Sequence, residues 1–178
     1  MLESKIMTVE EYLEFEKTSE VRHEFVDWKL YAMAGDSREH YRIVRNLTRA
    51  LEDVGSNCEI AMEALRVRVH ENGRYRYPDV VVSCDPGTEK YYLENPCFIA
   101  EVLSESTAHT DHNAKLEEYT RLPSLKRYAI ISSDLRRVIL YKRTENGWNV
   151  EILEQGEIDI PCLNTTVTLE QIYVNLEF

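Results

Sequence analysis

Two acidic residues stand inside runs that are otherwise apolar and β-prone, and nothing else in the chain limits its fold so strongly. Asp79 precedes Val80-Val81-Val82, and Glu101 sits between Phe98-Ile99-Ala100 and Val102-Leu103. A carboxylate in a buried strand loses its hydration, at a cost of several kcal/mol unless a cation or hydrogen-bond donors compensate it. Two such acids on successive strands call for a shared cation. Lys115 follows on a stretch with helical spacing and brings a third charged group. The plainer alternative makes Asp79 a turn acid after Pro78 and pairs Glu101 with an arginine. Either acid alone would favour that alternative; the two together favour a functional centre.

At 178 residues the chain is read as one domain, residues 1–178, long enough to close a real core. No apolar run approaches the roughly 20 residues needed to span a bilayer, and the first residues lack a signal peptide's apolar core. Cys58, Cys84, Cys97 and Cys162 are far apart and form no C-x-x-C pair. They read as reduced, mostly buried thiols of a cytoplasmic protein, without zinc site or disulfide frame. The net charge of -11 weighs against non-specific nucleic-acid binding, which depends on Lys and Arg neutralising phosphates. A local basic strip, or metal ions at an acidic site, would reverse that sign.

Along the chain, Thr8-Val9-Glu10-Glu11 fits a capping box that opens a helix through about Phe15. Residues 22–33 read as two short strands around Asp27-Trp28-Lys29. From about Ser37 to Val54, Ile43, Leu47, Ala50, Leu51 and Val54 recur at helical spacing, with Gly55 as the terminating residue. Residues 64–69 alternate and return through Glu71-Asn72-Gly73 to a strand from Arg74 to Ser83, kinked or open at Pro78. Residues 84–96 read as a loop and Cys97 to Leu103 as a central strand. A helix from about Asp111 to Leu122 follows, ended by Pro123, then a strand from Lys126 to Ser132. A hairpin turns at Glu145-Asn146-Gly147, and a short helix closes the chain from Thr168 to Leu176. The order gives an α/β (α+β) fold, a mixed sheet with helices.

Converging carboxylates are hard oxygen ligands suited to Mg²⁺ or Mn²⁺. Lys115 shares one helix face with Asp111 and Tyr119, each four residues away. A lysine there can place an attacking water or offset charge growing on a phosphate; an exposed lysine paired with Asp111 is the ordinary alternative. Glu24 is either a further metal-facing acid or a partner of Arg22. His40, at the start of its helix, is as good a structural hydrogen-bonding residue as a catalytic one. His109 and His112 read as a solvated pair. Arg66 with Arg68, and Arg74 with Arg76, each share a strand face and offer phosphate contacts, or else decorate an exposed sheet face with its acids.

These residues resemble a known family. Pro78-Asp79 followed by Glu101-Val102-Leu103 is similar to the PD-(D/E)XK nuclease signature, with Leu103 where the lysine usually stands. The wider pattern is Glu10-Glu11-Tyr12-Leu13, His23-Glu24-Phe25-Val26-Asp27, His40 with Asn46-Leu47, Tyr77-Pro78-Asp79-Val80, Glu101-Val102-Leu103-Ser104, and Asp111 with Lys115 and Tyr119. It resembles the Uma2-type restriction endonuclease family over nearly the whole chain. The resemblance implies a restriction-endonuclease-like central mixed sheet flanked by helices. It also implies Mg²⁺-dependent (or Mn²⁺-dependent) hydrolysis of DNA phosphodiester bonds. Asp79 and Glu101 would be metal ligands, and Lys115 the lysine supplied from the following helix. The chain departs from the family at Trp28, where a Gly is usual. A catalytically silent nuclease-fold protein that binds nucleic acid or a protein partner is the main rival, and a hydrolase of another phosphoester a weaker one. A homodimer fits cleavage of two strands by a chain with no separate recognition domain.

Overall fold

The computed structural model describes residues 6–33, 36–70, 73–103 and 112–178. Its first helix, α1 (Val9–Glu16), opens with the expected capping box: Thr8 Oγ1 accepts from the Glu11 amide, and the Glu11 carboxylate accepts from the Thr8 amide. Strands β1 (His23–Val26) and β2 (Lys29–Ala32) form a hairpin. Both of its turn residues, Asp27 (φ 48°) and Trp28 (φ 67°), are left-handed. Such a turn matches the twist of a hairpin, which explains why glycine suits position 28.

Helix α2 (Arg38–Glu52) is capped by Ser37, whose side chain accepts from the His40 amide, and buries Ile43, Val44, Leu47 and Leu51. Its C-cap is Asp53, and Gly55 lies two residues beyond in the left-handed region, so the helix stops before Val54. Then come β3 (Glu59–Met62), β4 (Arg66–His70), β5 (Arg74–Arg76) and β6 (Val80–Ser83). The sequence reading made residues 74–83 one kinked strand; the structure divides them between two sheets. Pro78 has no amide to donate, so the chain leaves the ladder at Tyr77-Pro78-Asp79 and re-enters pairing at Val80. Strands β3 and β7 (Tyr92–Leu93) were not expected, and β7 shortens the presumed loop. Neither shows a clear alternation in sequence.

The chain continues through β8 (Phe98–Leu103), α3 (His112–Thr120), β9 (Arg127–Ser132), β10 (Val138–Thr144) and β11 (Gly147–Leu153). It closes with β12 (Glu157–Ile160), a 3₁₀ turn at Pro161–Leu163, β13 (Thr165–Thr168) and α4 (Leu169–Ile172). The β12–β13 pair was missed, and the last helix is shorter than expected. Among the described residues no helix is long and apolar enough to cross a membrane.

The strands form a six-stranded sheet of order β11-β10-β9-β8-β6-β3 and a five-stranded sheet of order β2-β1-β5-β4-β7. All neighbours in the first are antiparallel except β8 and β9, which run parallel and are joined through α3. One face of the six-stranded sheet, with Val80, Val82, Phe98, Ala100 and Val102, packs on α2, α4 and the β12–β13 pair. The other, with Val81, Ile99 and Ile130, packs on β4 and on Tyr119 of α3. Alternation along β8 therefore places Glu101 on the Ile99 face, beneath α3. Helix α1 lies on the five-stranded sheet, where Tyr12 stacks on Phe25 with ring centroids 4.6 Å apart.

The four cysteines are not the reduced thiols expected. The structure pairs Cys58 with Cys84 and Cys97 with Cys162. The register Glu59↔Ser83 puts Cys58 and Cys84 opposite each other just past the ends of β3 and β6, an arrangement invisible without the unpredicted β3. With the thiols paired, cysteine chemistry no longer argues for a cytoplasmic location.

Asn46 ties α2 to the end of α4, donating to the carbonyls of Ile172 (3.0 Å) and Val174 (3.1 Å). Asn46→Ala leaves those acceptors without a donor and should cost about 1–3 kcal/mol in urea unfolding. A loss below about 0.5 kcal/mol would mean that the carbonyls are satisfied by water instead.

Candidate active site

Asp79, Glu101 and Lys115 reach the site from three elements: the break before β6, the far half of β8, and the first turns of α3. The 510 Å³ cavity they share is also lined by Glu24, His40, Arg76 and Asp36. Asp79 is held from two sides. Its Oδ2 accepts from the Val102 amide at 2.6 Å and lies 3.1 Å from His40 Nε2 on α2. Glu101, 2% exposed, accepts from the Tyr119 hydroxyl at 2.8 Å through Oε1, while Oε2 lies 3.2 Å from Lys115 Nζ. The i,i+4 spacing of Lys115 and Tyr119 thus delivers both groups to one carboxylate. Lys115 also lies 3.3 Å from Glu24 Oε1.

Burial pushes the Glu101 carboxyl well up from its ordinary value; Lys115 opposes the shift, while the charges of Asp79 and Glu24 add to it. The same burial, with Glu101 beside it, raises the Tyr119 hydroxyl, which stays a donor. For His40 burial works against the charged ring. The hydrogen bond to Asp79 and the charges of Asp79, Asp36 and Glu63 outweigh it, and its pKa rises. The arrangement therefore holds more negative charge than its own cations neutralise, and a divalent ion would relieve it.

A second group of donors stands at the His40 end of the cavity. His40 Nδ1 is buried without a hydrogen-bond partner, 3.9 Å from Asp36 Oδ2 and 3.8 Å from Glu63 Oε1. Donor atoms of Asp36, His40 and Glu63 all lie within 4.8 Å of one another. Glu63 adopts a left-handed φ of 51°, an uncommon conformation for a residue with a side chain, and its carboxyl is raised by burial and by Asp79. Asp36 and Glu63 were missed in the sequence. Asp36 follows a glycine outside any apolar run, whereas Glu63 stands between Ile60-Ala61-Met62 and Ala64-Leu65, the same signal that marks Asp79 and Glu101, and could have been found by it.

The hairpin arginines serve a different purpose from the one expected. Arg76, 4% exposed, bonds Glu24 at 2.7 Å and Glu118 at 2.7 and 3.1 Å. Burial disfavours its charge, but Glu118 and Glu24 outweigh that and hold the guanidinium above its ordinary pKa. Arg66, 3% exposed, lies over the rings of Tyr12 and Tyr77. Arg74 pairs with Asp27 and Glu118, and Arg68 with Glu94. Arg66 and Arg76 are buried rather than on an open sheet face, and Arg76 lines the cavity while bonded to its acids. Arg68 and Arg74 are engaged by acids of their own chain. The register Phe25↔Tyr75 explains the Glu24–Arg76 pair: it sets residue 24 opposite residue 76. Glu118, three residues after Lys115, was overlooked, although that spacing puts it near the same helix face.

Of the other predicted residues, Glu24, His40 and Tyr119 are brought to the site, while Asp111 and His109 lie outside the described residues. His112 opens α3.

The Arg76 cluster invites a stability test. Arg76→Met would leave Glu24 and Glu118 buried with their main cation gone, and should cost about 3–5 kcal/mol in chemical unfolding at neutral pH. A loss under about 1 kcal/mol would show that the two carboxylates are solvated.

The model of a family described as "Putative restriction endonuclease" (Uma2) matches residues 9–170. The uncharacterized protein slr1290 of Synechocystis sp. is 32% identical over 178 residues, covering 97% of this chain and 94% of its own length. A second Synechocystis protein, sll1609, is 34% identical over 165 residues, covering 88% and 93%. Among solved structures, a "putative nuclease belonging to DUF820" from Anabaena variabilis superposes with a TM-score of 0.75 at 15% identity, over 93% of this chain and 97% of that one. At that identity the likeness speaks for the shared fold.

Proposed function

This chain belongs to the Uma2 family, and from that premise we propose that it is a divalent-metal-dependent nuclease cleaving DNA phosphodiester bonds at the Asp79–Glu101–Lys115 centre. The observation that carries this reading is the placement of Lys115. It lies 3.2 Å from Glu101 although the strand position that usually provides the lysine is Leu103. The donor set fits Mg²⁺ or Mn²⁺: hard carboxylate oxygens on neighbouring strands, with a surplus of negative charge. Such an ion, when bound, polarises the phosphate and lowers the pKa of a coordinated water.

The chain's own groups have distinct tasks. The Val102 amide and His40 fix the Asp79 carboxylate, and the Tyr119 hydroxyl fixes Glu101. Lys115, held between Glu101 and Glu24, is placed to donate to an attacking water and to offset charge growing on the phosphate. Asp36, His40 and Glu63 offer a further hard-ion position in the same region. Arg76 holds Glu24 in place. A homodimer belongs to this reading, because one such centre cuts one strand.

One observation favours the silent alternative. All four hairpin arginines are occupied within the chain, on a protein of net charge -11. A binder without catalysis would take up Mn²⁺ in calorimetric titration no differently once Asp79 and Glu101 were changed.

Asp79→Asn preserves size and can keep hydrogen bonding, so the variant should fold with an unchanged melting profile. Its Mg²⁺- or Mn²⁺-dependent cleavage of duplex DNA should fall by at least about 10²-fold, the scale of losing one preorganised electrostatic group. Lys115→Met should show a comparable fall with metal binding retained. Cleavage at the wild-type rate by either variant would defeat the assignment.

A further inference from the structure

All four cysteines of the chain meet at the end of the six-stranded sheet opposite the carboxylates. Glu101 and Cys97 are four residues apart on or beside β8, roughly 13 Å of strand. Cys58 precedes β3, Cys84 follows β6, Cys97 precedes β8 and Cys162 lies in the 3₁₀ turn after β12. They are bonded as Cys58–Cys84 and Cys97–Cys162, yet the two pairs are not separate staples. The sulfurs of Cys84, Cys97 and Cys162 all lie within 4.8 Å of one another, and Cys58 is joined to the first of these.

Four sulfurs gathered this tightly match a tetrathiolate. Zinc takes four cysteine ligands tetrahedrally at about 2.3 Å, which puts neighbouring sulfurs about 3.8 Å apart. No local pattern marks the cluster, because structural zinc sites are recognised by C-x-x-C pairs, and here each ligand comes from a separate segment. Three of those segments, the ends of β3, β6 and β8, are fixed side by side by the ladders β3–β6 and β6–β8. The site is also reachable, since Cys84 is exposed while Cys97 is buried.

We propose that the reduced protein binds one Zn²⁺ through Cys58, Cys84, Cys97 and Cys162, and that the two disulfides are the oxidised, metal-free form of the same centre. Conversion requires a two-electron reductant for each disulfide, such as a dithiol. Each disulfide accepts two electrons and two protons to give two thiols, while a dithiol becomes a disulfide. Zinc then displaces up to four thiol protons as the thiolates coordinate. Metal or disulfides fasten the same elements, joining the edge strand β3 and the β12–β13 segment to the sheet centre.

The test uses the full chain, reduced with a phosphine, freed of metal by gel filtration and titrated anaerobically with Co²⁺ and then Zn²⁺. The expected result is a sulfur-to-cobalt charge-transfer band, with the intense visible bands of tetrahedral geometry, that saturates at one equivalent of Co²⁺ and is abolished by one equivalent of Zn²⁺. Zinc should also slow alkylation of the thiols at least tenfold and raise the melting temperature of the reduced protein. Cys84→Ser changes an exposed side chain, so a folded variant is expected; its cobalt band should weaken or vanish. Asp79→Asn should leave the titration unchanged. Absence of the charge-transfer band in reduced wild-type protein, or a band that survives Cys84→Ser and Cys97→Ser together, would overturn the proposal and leave a pair of disulfides alone.

Discussion

Carboxylates in a low-dielectric interior must be compensated, and the architecture around α3 follows from that requirement. Glu24, Asp79, Glu101 and Glu118 are each at most 8% exposed. No single cation could serve all four. Instead Arg76 bridges Glu24 and Glu118, Lys115 bridges Glu24 and Glu101, and Asp79 relies on one amide and one imidazole. Glu24 is the shared member, linking the Arg76 cluster to the one around Lys115. Compensation is complete around Arg76 and incomplete around Glu101, whose pKa is driven up despite Lys115. That gradient marks where an external cation is wanted.

The backbone break at Tyr77-Pro78-Asp79 is what makes such a gradient possible. A continuous strand from Arg74 to Ser83 would keep Arg76 and Asp79 in one sheet, on opposite faces by alternation. By changing sheets after Arg76, the chain lets β5 contribute its guanidinium from one sheet while Asp79 enters the other beside Glu101. Pro78, poorly suited to a ladder, thus has a positive role.

The parts of this design that were legible in sequence are those with local signatures. The capping box at Thr8, the periodicity of α2 and the burial of the acids Asp79 and Glu101 inside apolar runs were read correctly, as was the shared face of Lys115 and Tyr119. What escaped depends on long-range register. β3 has no alternation to announce it, so neither its pairing with β6 nor the apposition of Cys58 and Cys84 could be seen. The ion pairs of the arginines escaped because sequence shows that Arg74 and Arg76 share a strand face, not what that face meets. Here it meets Glu24 and Glu118, from a strand and a helix 52 and 42 residues away.

Strands β6 and β8 carry different chemistry at their two ends, and the difference is one of ligand hardness. Oxygen donors gather where β6 begins and β8 runs out; sulfur donors gather where β6 ends and β8 begins. Mg²⁺ and Mn²⁺ prefer the first set and Zn²⁺ the second, so two ions could occupy one sheet without exchanging places. Because the strands are antiparallel, a clamp at the sulfur end restrains both at once. The carboxylate end gains from such restraint: Asp79 and Glu101 repel each other, and a fixed spacing between β6 and β8 adds to the bonds from Val102, His40, Tyr119 and Lys115 that hold them side by side.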